Sequence, residues 1–299
     1  FHFYPQFCKI LPNYILSPVN LESLSCGLRH TGDLSIRERC PMSSYESKLP
    51  DANGRYAYTP DDDAVWGELY ARQMAFLPGH VVPEYLAGAA KLGLTPAHVP
   101  QIADIDARLA ALTGAGVAGV PAIIPPSQFF DLLSQRKFPV ATFLRRREDM
   151  DYIEEPDIFH EVFGHCPLLT DRAYVDFIER FGKLATGLGK AYSWRLFRLF
   201  WFTVEFGMMR TPDGLRAYGA GIVSSPSEAK HAVGGGAEML PFDLMTVLRT
   251  PYRIDILQPV YFVIDGFDQL NTALTGDIAG MIDRAKELGD LPARFEKAA

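Results

Sequence analysis

Apolar side chains recur every three to four residues in the first half of the chain, which is the spacing of amphipathic helices. A first helix is predicted after residues 61–63, where three aspartates supply N-cap chemistry. Its apolar positions are Val65, Trp66, Leu69, Tyr70 and Met74. A second helix is expected after Gly79, and a third has its apolar positions at Ile102, Ile105, Leu109 and Leu112. After a proline-rich break at 121–126, a short helix is indicated by Phe129, Phe130, Leu132 and Leu133.

The second half combines long helical patterns with a few short strand patterns. Pro156 fits the first turn of a helix. Residues 171–187 and 192–210 predict two long helices, the second very apolar and therefore central. The segment 218–223 favours a strand or hairpin, 252–257 and 260–264 favour short strands, and 267–287 favours a last helix. The predicted class is mainly α with a small β element.

The patterning also predicts the domain organisation. No linker or repeat divides residues 56–299, so we expect this part of the chain to fold as a single domain. Residues 1–41 begin with Phe, contain four prolines and show no sustained period, whereas Met42 resembles a natural start. We therefore expect residues 1–41 to be a disordered or non-native extension outside the folded domain. They lack the basic region and apolar core of a secretory signal.

Composition narrows the classes of function. The 299 residues are 48% hydrophobic and 22% charged, as in an ordinary globular protein. A net charge of −7 argues against nucleic acid as a partner. Four cysteines, three of them in the first forty residues, form no disulfide framework and suit a cytoplasmic protein. No run approaches the ~18–20 apolar residues of a membrane helix.

The candidate chemistry lies in one histidine pair and one distant glutamate. His160 and His165 are five residues apart, and Glu205 lies in a very apolar segment, where a carboxylate is costly to bury unless it is paired or binds a metal. Two imidazoles and one carboxylate form the ligand set of non-haem iron(II) oxygenases. Buried structural histidines and a solvent-facing glutamate remain the alternative interpretation.

A zinc protease is the competing metal site. Its H-E-x-x-H motif places the histidines four apart on one helical face, whereas a spacing of five separates them by roughly 140° in an ideal helix. If both bind one ion, the helix must distort or end near Gly164, which has no Cβ. The spacing argues against a protease without excluding a metal.

Three ordered motifs carry a resemblance to a known family. PDIFHEVFGHCPLLT at 156–170, FWFTVEFG at 200–207 and AYGAGIVSS at 217–225 resemble the catalytic domain of the pterin-dependent aromatic amino acid hydroxylases, over about Tyr56 to residue 290. The resemblance implies a helical basket that binds Fe(II) and a tetrahydropterin and uses O2 to hydroxylate L-phenylalanine to L-tyrosine. Tryptophan or tyrosine hydroxylation is the alternative within the family. A zinc hydrolase or an inactive pterin-binding paralogue is the alternative outside it.

The resemblance also implies roles for individual residues. The metal ligands would be His160, His165 and Glu205. The pterin side would comprise Phe129, Glu161 and Phe200, and the substrate side Arg145, Trp201, Phe206 and Ser224. Asp157 would orient Arg145, and Glu228 would fix the tautomer of His160 or His165. Several have plainer alternatives, since the aromatic rings suit a core, Arg145 begins a basic triplet that suits a solvated loop, and Glu161 suits a surface.

At two places the sequence differs from other members of this family, and the differences affect what we expect of pterin binding and substrate preference. Ile124-Pro125-Pro126-Ser127 replaces small polar residues of animal relatives, which puts single pterin hydrogen bonds in doubt. Ile254 stands where tyrosine-hydroxylating relatives tend to carry an acidic residue, which favours a ring without a hydroxyl. The chain lacks C-terminal heptads and a regulatory domain before the catalytic one, so we expect a monomer.

Overall fold

The computed structural model describes residues 45–121, 124–151, 153 and 155–295, so the expectation for residues 1–41 lies outside it. Helices dominate the described part, which confirms the predicted class. The α-helices are α1 Pro60–Met74, α2 Pro83–Lys91, α3 Ile102–Thr113, α4 Pro126–Ser134, α5 Arg172–Leu188, α6 Lys190–Phe200, α7 Ala220–Val223, α8 Pro226–Val233, α9 Leu244–Arg249, α10 Phe267–Ala273 and α11 Ile278–Leu288. Two π-helical segments, π1 Phe159–His165 and π2 Trp201–Glu205, and 3₁₀ turns at Arg147–Asp149 and Cys166–Thr170 complete the helical elements.

Six short strands form two sheets in the described residues. They are β1 Gly116–Val120, β2 Lys137–Ala141, β3 Gly207–Thr211, β4 Gly214–Ala217, β5 Glu238–Pro241 and β6 Val260–Ile264. β1 and β2 pair in parallel. The other sheet has the order β4-β3-β6-β5, in which only the β3–β4 pair is antiparallel.

One continuous hydrophobic cluster extends from Val65 in α1 to Ala285 in α11. It is rich in aromatic rings, which bury large apolar areas and therefore contribute strongly to stability. α5 and α6 supply much of it, and both π segments lie within it. Among the described residues, every helix is too short or too polar to span a bilayer.

Most predicted helices are confirmed, and the differences have local causes. The N-cap of α1 is Thr59, which forms a capping box with Asp62, so the aspartates lie in the first turn. The helix predicted for 192–210 ends at Phe200, where the π segment begins, and residues from Gly207 onward join the sheet. Pro156 precedes the helical segment instead of lying in its first turn.

Three further predictions in the C-terminal half are wrong in detail. Residues 220–223 form a short helix and not a strand. Residues 252–257 are irregular, and the carbonyls of Arg253 and Ile256 accept hydrogen bonds from the side chain of Gln258 instead of from a neighbouring strand. The last helix is two helices, separated at Gly276, which has a φ of 85° that favours glycine.

An ion pair between a buried arginine and a partly exposed aspartate connects the C-terminal segment to α6. The guanidinium of Arg198 is 1% exposed and donates to both carboxylate oxygens of Asp290, at 2.8 and 2.7 Å. Arg195 lies 2.6 Å from the same carboxylate. Because α6 continues directly into π2, this pair restrains the helix that carries Glu205.

We expect Asp290→Ala to lower the free energy of unfolding by about 2 kcal/mol, because it leaves a buried guanidinium without its carboxylate. Asp265→Ala is the matched control, since it removes an exposed pair with Arg210 that is worth about 0.5 kcal/mol or less. Urea denaturation of both variants measures the two effects. Equal losses would show that the Asp290 pair is no more than a surface contact.

Candidate metal centre

Both π-helical segments end on a candidate metal ligand. π1 carries His160 and His165, and π2 ends at Glu205. A π-helix bonds residue i to i+5 and has more residues per turn than an α-helix, so two side chains five apart lie much closer to one face than the roughly 140° separation of an ideal α-helix. The distortion that the histidine spacing requires therefore extends over the whole segment and is not confined to Gly164.

Gly164 serves packing rather than chain bending. A Cβ there would lie 3.2 Å from both the Cβ and the carbonyl oxygen of Ala220. Gly219 is more tightly constrained, because its Cβ would lie 2.3 Å from the carbonyl oxygen of Glu205 and 2.4 Å from the Gly207 nitrogen. These glycines let the 218–224 segment lie directly against both ligand-bearing helices.

The three candidate ligands converge in the interior. The Nε2 atoms of His160 and His165 are 3.1 Å apart, and Glu205 Oε1 is 3.3 Å from His165 Nε2. Glu205 Oε2 is 3.6 Å from His160 Nε2. All three side chains are buried, and their ligand atoms lie within 4.8 Å of one another.

This donor set fits a divalent transition metal. Ligand atoms at about 2.1 Å from one ion and at right angles are about 3 Å apart, which is close to the separations observed. Within the described part of the chain, the buried Glu205 Oε2 makes no hydrogen bond, although burying such an atom unpaired is costly. An ion bound to three protein ligands would satisfy it and leave coordination positions for other molecules.

The hydroxyl of Ser224 fixes the tautomer of His160. It donates to the Ala220 carbonyl at 2.8 Å, so its single proton is already used. The contact of 2.8 Å between Ser224 Oγ and His160 Nδ1 must then be donated by the imidazole. Nε2 of His160 is consequently unprotonated and directed at the other two ligands. Burial also lowers the pKa of His160 to about 3, which keeps the ring neutral.

The two glutamates near this centre have opposite electrostatic properties. Burial alone would raise the pKa of Glu205, but the adjacent imidazole of His165 outweighs it, so the carboxyl is ionised. Glu161 lies 3.8 Å from His165 Nε2 and is mostly buried. Burial and the nearby carboxylates of Glu205 and Asp157 raise the pKa of Glu161 well above its usual range.

Arg145 and Asp157 form a buried bidentate ion pair beside the histidines. Nε and Nη2 of Arg145 donate to the carboxylate of Asp157 at 2.8 and 2.9 Å. Asp157 also accepts from the backbone N–H of His160 at 3.0 Å. Burial would raise the pKa of Asp157, but the contacts with Arg145 and the His160 N–H lower it overall. A cavity lined by Arg145, His160 and Ser224 lies next to this pair.

Aromatic rings pack against His165. The ring of Phe138 lies 4.3 Å from its imidazole, and Phe200 is 6.5 Å away. Phe129 packs edge-on against Phe200 at 5.2 Å and is 6% exposed. The rings predicted for the pterin side therefore lie together next to the metal cluster, within the aromatic core.

Trp201 belongs to a second aromatic group. Its indole stacks on Tyr252 at 4.5 Å and packs against Phe206 at the same distance. Its N–H donates to Gln258 Oε1 at 2.9 Å. Neither Tyr252 nor Gln258 was identified from the sequence, because no local pattern shows a contact across more than fifty residues. Ile254 lies between them along the chain and is buried.

One predicted contact is corrected by these distances. Glu228 was expected to fix the tautomer of a histidine, yet its carboxylate accepts from the hydroxyl of Tyr261 and from the backbone N–H of Gln258. The tautomer of His160 is set instead by Ser224, which also lines the cavity beside Arg145. Glu228 points into the β5–β6 end of the fold because α8, which carries it, begins after the serine pair.

Glu228 provides a test of the electrostatics. Burial raises its pKa to about 7, partly offset by the hydrogen bonds from Tyr261 and Gln258. A carboxyl whose folded pKa exceeds its unfolded value of about 4.3 stabilises the fold fully at low pH and loses that contribution as the pH rises through 7. Glu228→Gln imitates the protonated form. Compared with wild type, we expect its unfolding free energy to gain progressively between pH 5 and 8, by up to about 3 kcal/mol.

Urea denaturation of both proteins at pH 5, 6, 7 and 8 measures this difference. A constant difference across that range would contradict the pKa assigned to Glu228.

Comparisons with known proteins agree with this geometry. Residues 27–288 match the family model of the biopterin-dependent aromatic amino acid hydroxylases. The phenylalanine-4-hydroxylase of Pseudomonas aeruginosa is 43% identical over 83% of this chain and 94% of its own. The structure of phenylalanine hydroxylase from Legionella pneumophila superposes with a TM-score of 0.82 at 45% identity, over 84% of this chain and all of that one.

A third relative is a structure of Chromobacterium violaceum phenylalanine hydroxylase with iron and phenylalanine bound. It has a TM-score of 0.76 at 37% identity, over 86% of this chain and 93% of that one. The family model covers most of the chain, and the relatives match almost their entire length. This chain belongs to the biopterin-dependent aromatic amino acid hydroxylase family.

Proposed function

We propose that this protein hydroxylates L-phenylalanine to L-tyrosine, using O2 and a tetrahydropterin at an Fe(II) ion held by His160, His165 and Glu205. The observation that carries the proposal is the convergence of two imidazole nitrogens and one carboxylate in a buried cluster. When bound, the tetrahydropterin would supply two electrons and iron(II) would provide the place where O2 is reduced; the substrate ring, which gains one oxygen atom, supplies the other two electrons, and the second oxygen atom leaves on the pterin.

The ligand residues set the conditions for metal binding. His160 offers an unprotonated Nε2 because Ser224 holds its proton on Nδ1. Glu205 contributes the one negative charge among the three ligands, which partly neutralises a divalent ion. The buried surroundings exclude bulk water, so charges that develop during the reaction are weakly screened.

The substrate side would lie around Arg145. A planar guanidinium grips a carboxylate through two parallel hydrogen bonds, which lysine cannot do. Asp157 fixes the plane of the Arg145 guanidinium and also accepts from the N–H of His160. The group that would bind the substrate carboxylate and one metal ligand are therefore held by the same side chain. Trp201 and Phe206 would form walls for the substrate ring.

The pterin side would lie at Phe129, Phe200 and Glu161. Phe200 lies 6.5 Å from the ring of His165 and packs edge-on against Phe129, so these two buried rings would form the aromatic wall next to the metal ligands. Stacking on such a ring contributes about 0.5–1.5 kcal/mol beyond burial. Glu161, with its raised pKa, can hydrogen-bond a neutral heterocycle without a second counter-ion.

Phenylalanine is favoured over tyrosine by Ile254. An apolar, buried side chain offers nothing to hydrogen-bond a ring hydroxyl, and leaving that hydroxyl unpaired is costly.

We also propose a cytoplasmic monomer. The buried Cys166 is a free thiol, as expected in a reducing compartment.

The test is an anaerobic Fe(II) load followed by O2, a tetrahydropterin and either L-Phe, L-Tyr or L-Trp, with products identified by mass. We expect tyrosine from L-Phe. Hydroxylated tyrosine as the main product would keep the reaction and overturn the role of Ile254, and hydroxylated tryptophan would keep the reaction and overturn the proposed substrate. Bound iron without oxygen transfer to any of the three would contradict the proposal.

Two neighbouring glutamates separate metal binding from pterin binding. Glu205→Gln should lower iron affinity and tyrosine formation by more than about 100-fold, because even residues that only support ligands cost 10–100-fold. Glu161→Gln should keep one iron per chain and raise the KM for the pterin about three- to tenfold, as the loss of one hydrogen bond does. Iron content and initial rates measure both, and iron loss in Glu161→Gln would reassign that residue to the metal.

A further inference from the structure

The side chain of Gln258 connects two parts of the proposed ring pocket. Its Oε1 accepts the indole N–H of Trp201 at 2.9 Å. Its Nε2 donates to the backbone carbonyls of Arg253 and Ile256 at 2.9 and 3.0 Å. Those carbonyls lie on either side of Ile254, so one amide group binds both the tryptophan and the loop that carries the isoleucine.

The orientation of this amide has only one solution. An indole N–H can only donate and a backbone carbonyl can only accept, so exchanging the oxygen and nitrogen of Gln258 would break all three bonds. The residue is 1% exposed, and water cannot readily replace the lost partners. Gln258 therefore sets the distance between Trp201 and the 253–256 loop.

The backbone of Gln258 is anchored from the other side. Its N–H donates to Glu228 Oε1 at 3.1 Å, and its carbonyl is 3.0 Å from His231 Nε2. Glu228 also binds the hydroxyl of Tyr261 in β6. These contacts connect the backbone of Gln258 to α8 and, through Glu228 and Tyr261, to β6 of the four-stranded sheet. The position of the Gln258 side chain is therefore fixed.

Trp201 has little freedom once this bond is made. It begins π2, four residues before Glu205, and its ring is held by Tyr252 on one side and Phe206 on another. The hydrogen bond to Gln258 adds a direction to this stacking, because a stacked ring can otherwise slide or rotate in its plane. The indole plane is thereby fixed relative to the metal ligand on the same segment.

We infer that Gln258 is the positioning residue of the substrate-ring pocket. It holds Trp201 and the 253–256 loop, which carries Ile254, in fixed positions relative to the metal ligands. The inference rests on the proposed function and deepens it. Gln258 touches neither the metal ligands nor Arg145 in the described contacts, so it acts through Trp201 and the loop. If Trp201 is misplaced, L-Phe should bind more weakly. More tetrahydropterin should also be oxidised without forming tyrosine, because oxygen reaches the substrate ring only when that ring is accurately placed.

Gln258→Met keeps the length of the side chain and removes its hydrogen bonds. We expect the KM for L-Phe to rise about three- to tenfold, in line with lost hydrogen bonds. The tyrosine formed per tetrahydropterin consumed should fall, whereas the KM for the pterin and the iron content should stay at wild-type values. Calorimetric titration of L-Phe into the anaerobic, iron-loaded protein gives the binding change without turnover.

Gln101→Met is the matched control. Its amide also bridges backbone groups, accepting from Tyr56 N at 2.8 Å and donating to Tyr56 O at 3.1 Å. This bridge lines a separate surface cavity near α3 and contains none of the residues proposed for catalysis. We expect a lower melting temperature in the control, with an unchanged KM for L-Phe and unchanged coupling.

Trp201→Phe completes a double-variant cycle, since it keeps an aromatic ring and removes the indole N–H. If the shared bond carries the effect, combining it with Gln258→Met should raise the KM no further than the larger single change. Should Gln258→Met not fold, Trp201→Phe alone serves instead. It removes the same hydrogen bond from the other partner and leaves the bonds of Gln258 to the Arg253 and Ile256 carbonyls in place, so a rise in the KM for L-Phe and a fall in coupling are expected. A folded Trp201→Phe protein with the KM and coupling of wild type would then overturn the inference.

Either of two results overturns the inference. One is a folded Gln258 variant whose KM for L-Phe and coupling equal those of wild type. The other is a KM that rises by the same factor for L-Phe and the pterin, which indicates a general structural defect. Both presuppose an active wild type. A wild type that binds iron but makes no hydroxylated product contradicts the proposed function itself.

Discussion

The structure depends on a change of helical register at two buried sites. In π1, i→i+5 bonding brings His160 and His165 onto one face, and π2 presents Glu205 to them. Such segments are rare and less favourable than α-helix, so the surrounding packing must stabilise them. The buried Glu205 Oε2, which accepts no hydrogen bond from any described residue, is a second cost. A divalent cation among the three side chains would offset both costs at once.

The neighbouring elements make sense as supports for this arrangement. Gly219 lets its segment touch the backbone of Glu205, and the same segment delivers Ser224 to His160. Asp157 joins the N-terminal side of π1 to Arg145. Metal ligands, tautomer control and the proposed carboxylate grip are therefore coupled through short, buried contacts, and small displacements at one are transmitted to the others.

The sequence predicted the helical class, most helices of the N-terminal half and the residues that form the metal cluster. It did not predict how the cluster forms, because ideal helical geometry separates two residues five apart. The argument from spacing against a zinc protease is correspondingly weak, and family membership now excludes that class. Gln258 and the true partners of Glu228 escaped prediction because their bonds join residues 30 to 57 positions apart. Local sequence patterns do not predict contacts between residues this far apart in the chain.

The most direct test of the central claim is the position of iron in crystals of the loaded protein, found from anomalous scattering at the iron edge. We predict one strong peak about 2.1 Å from His160 Nε2, His165 Nε2 and a carboxylate oxygen of Glu205, with both π segments retained. A peak bound by Glu161 in place of Glu205, or iron elsewhere with the cluster unchanged, would contradict the account.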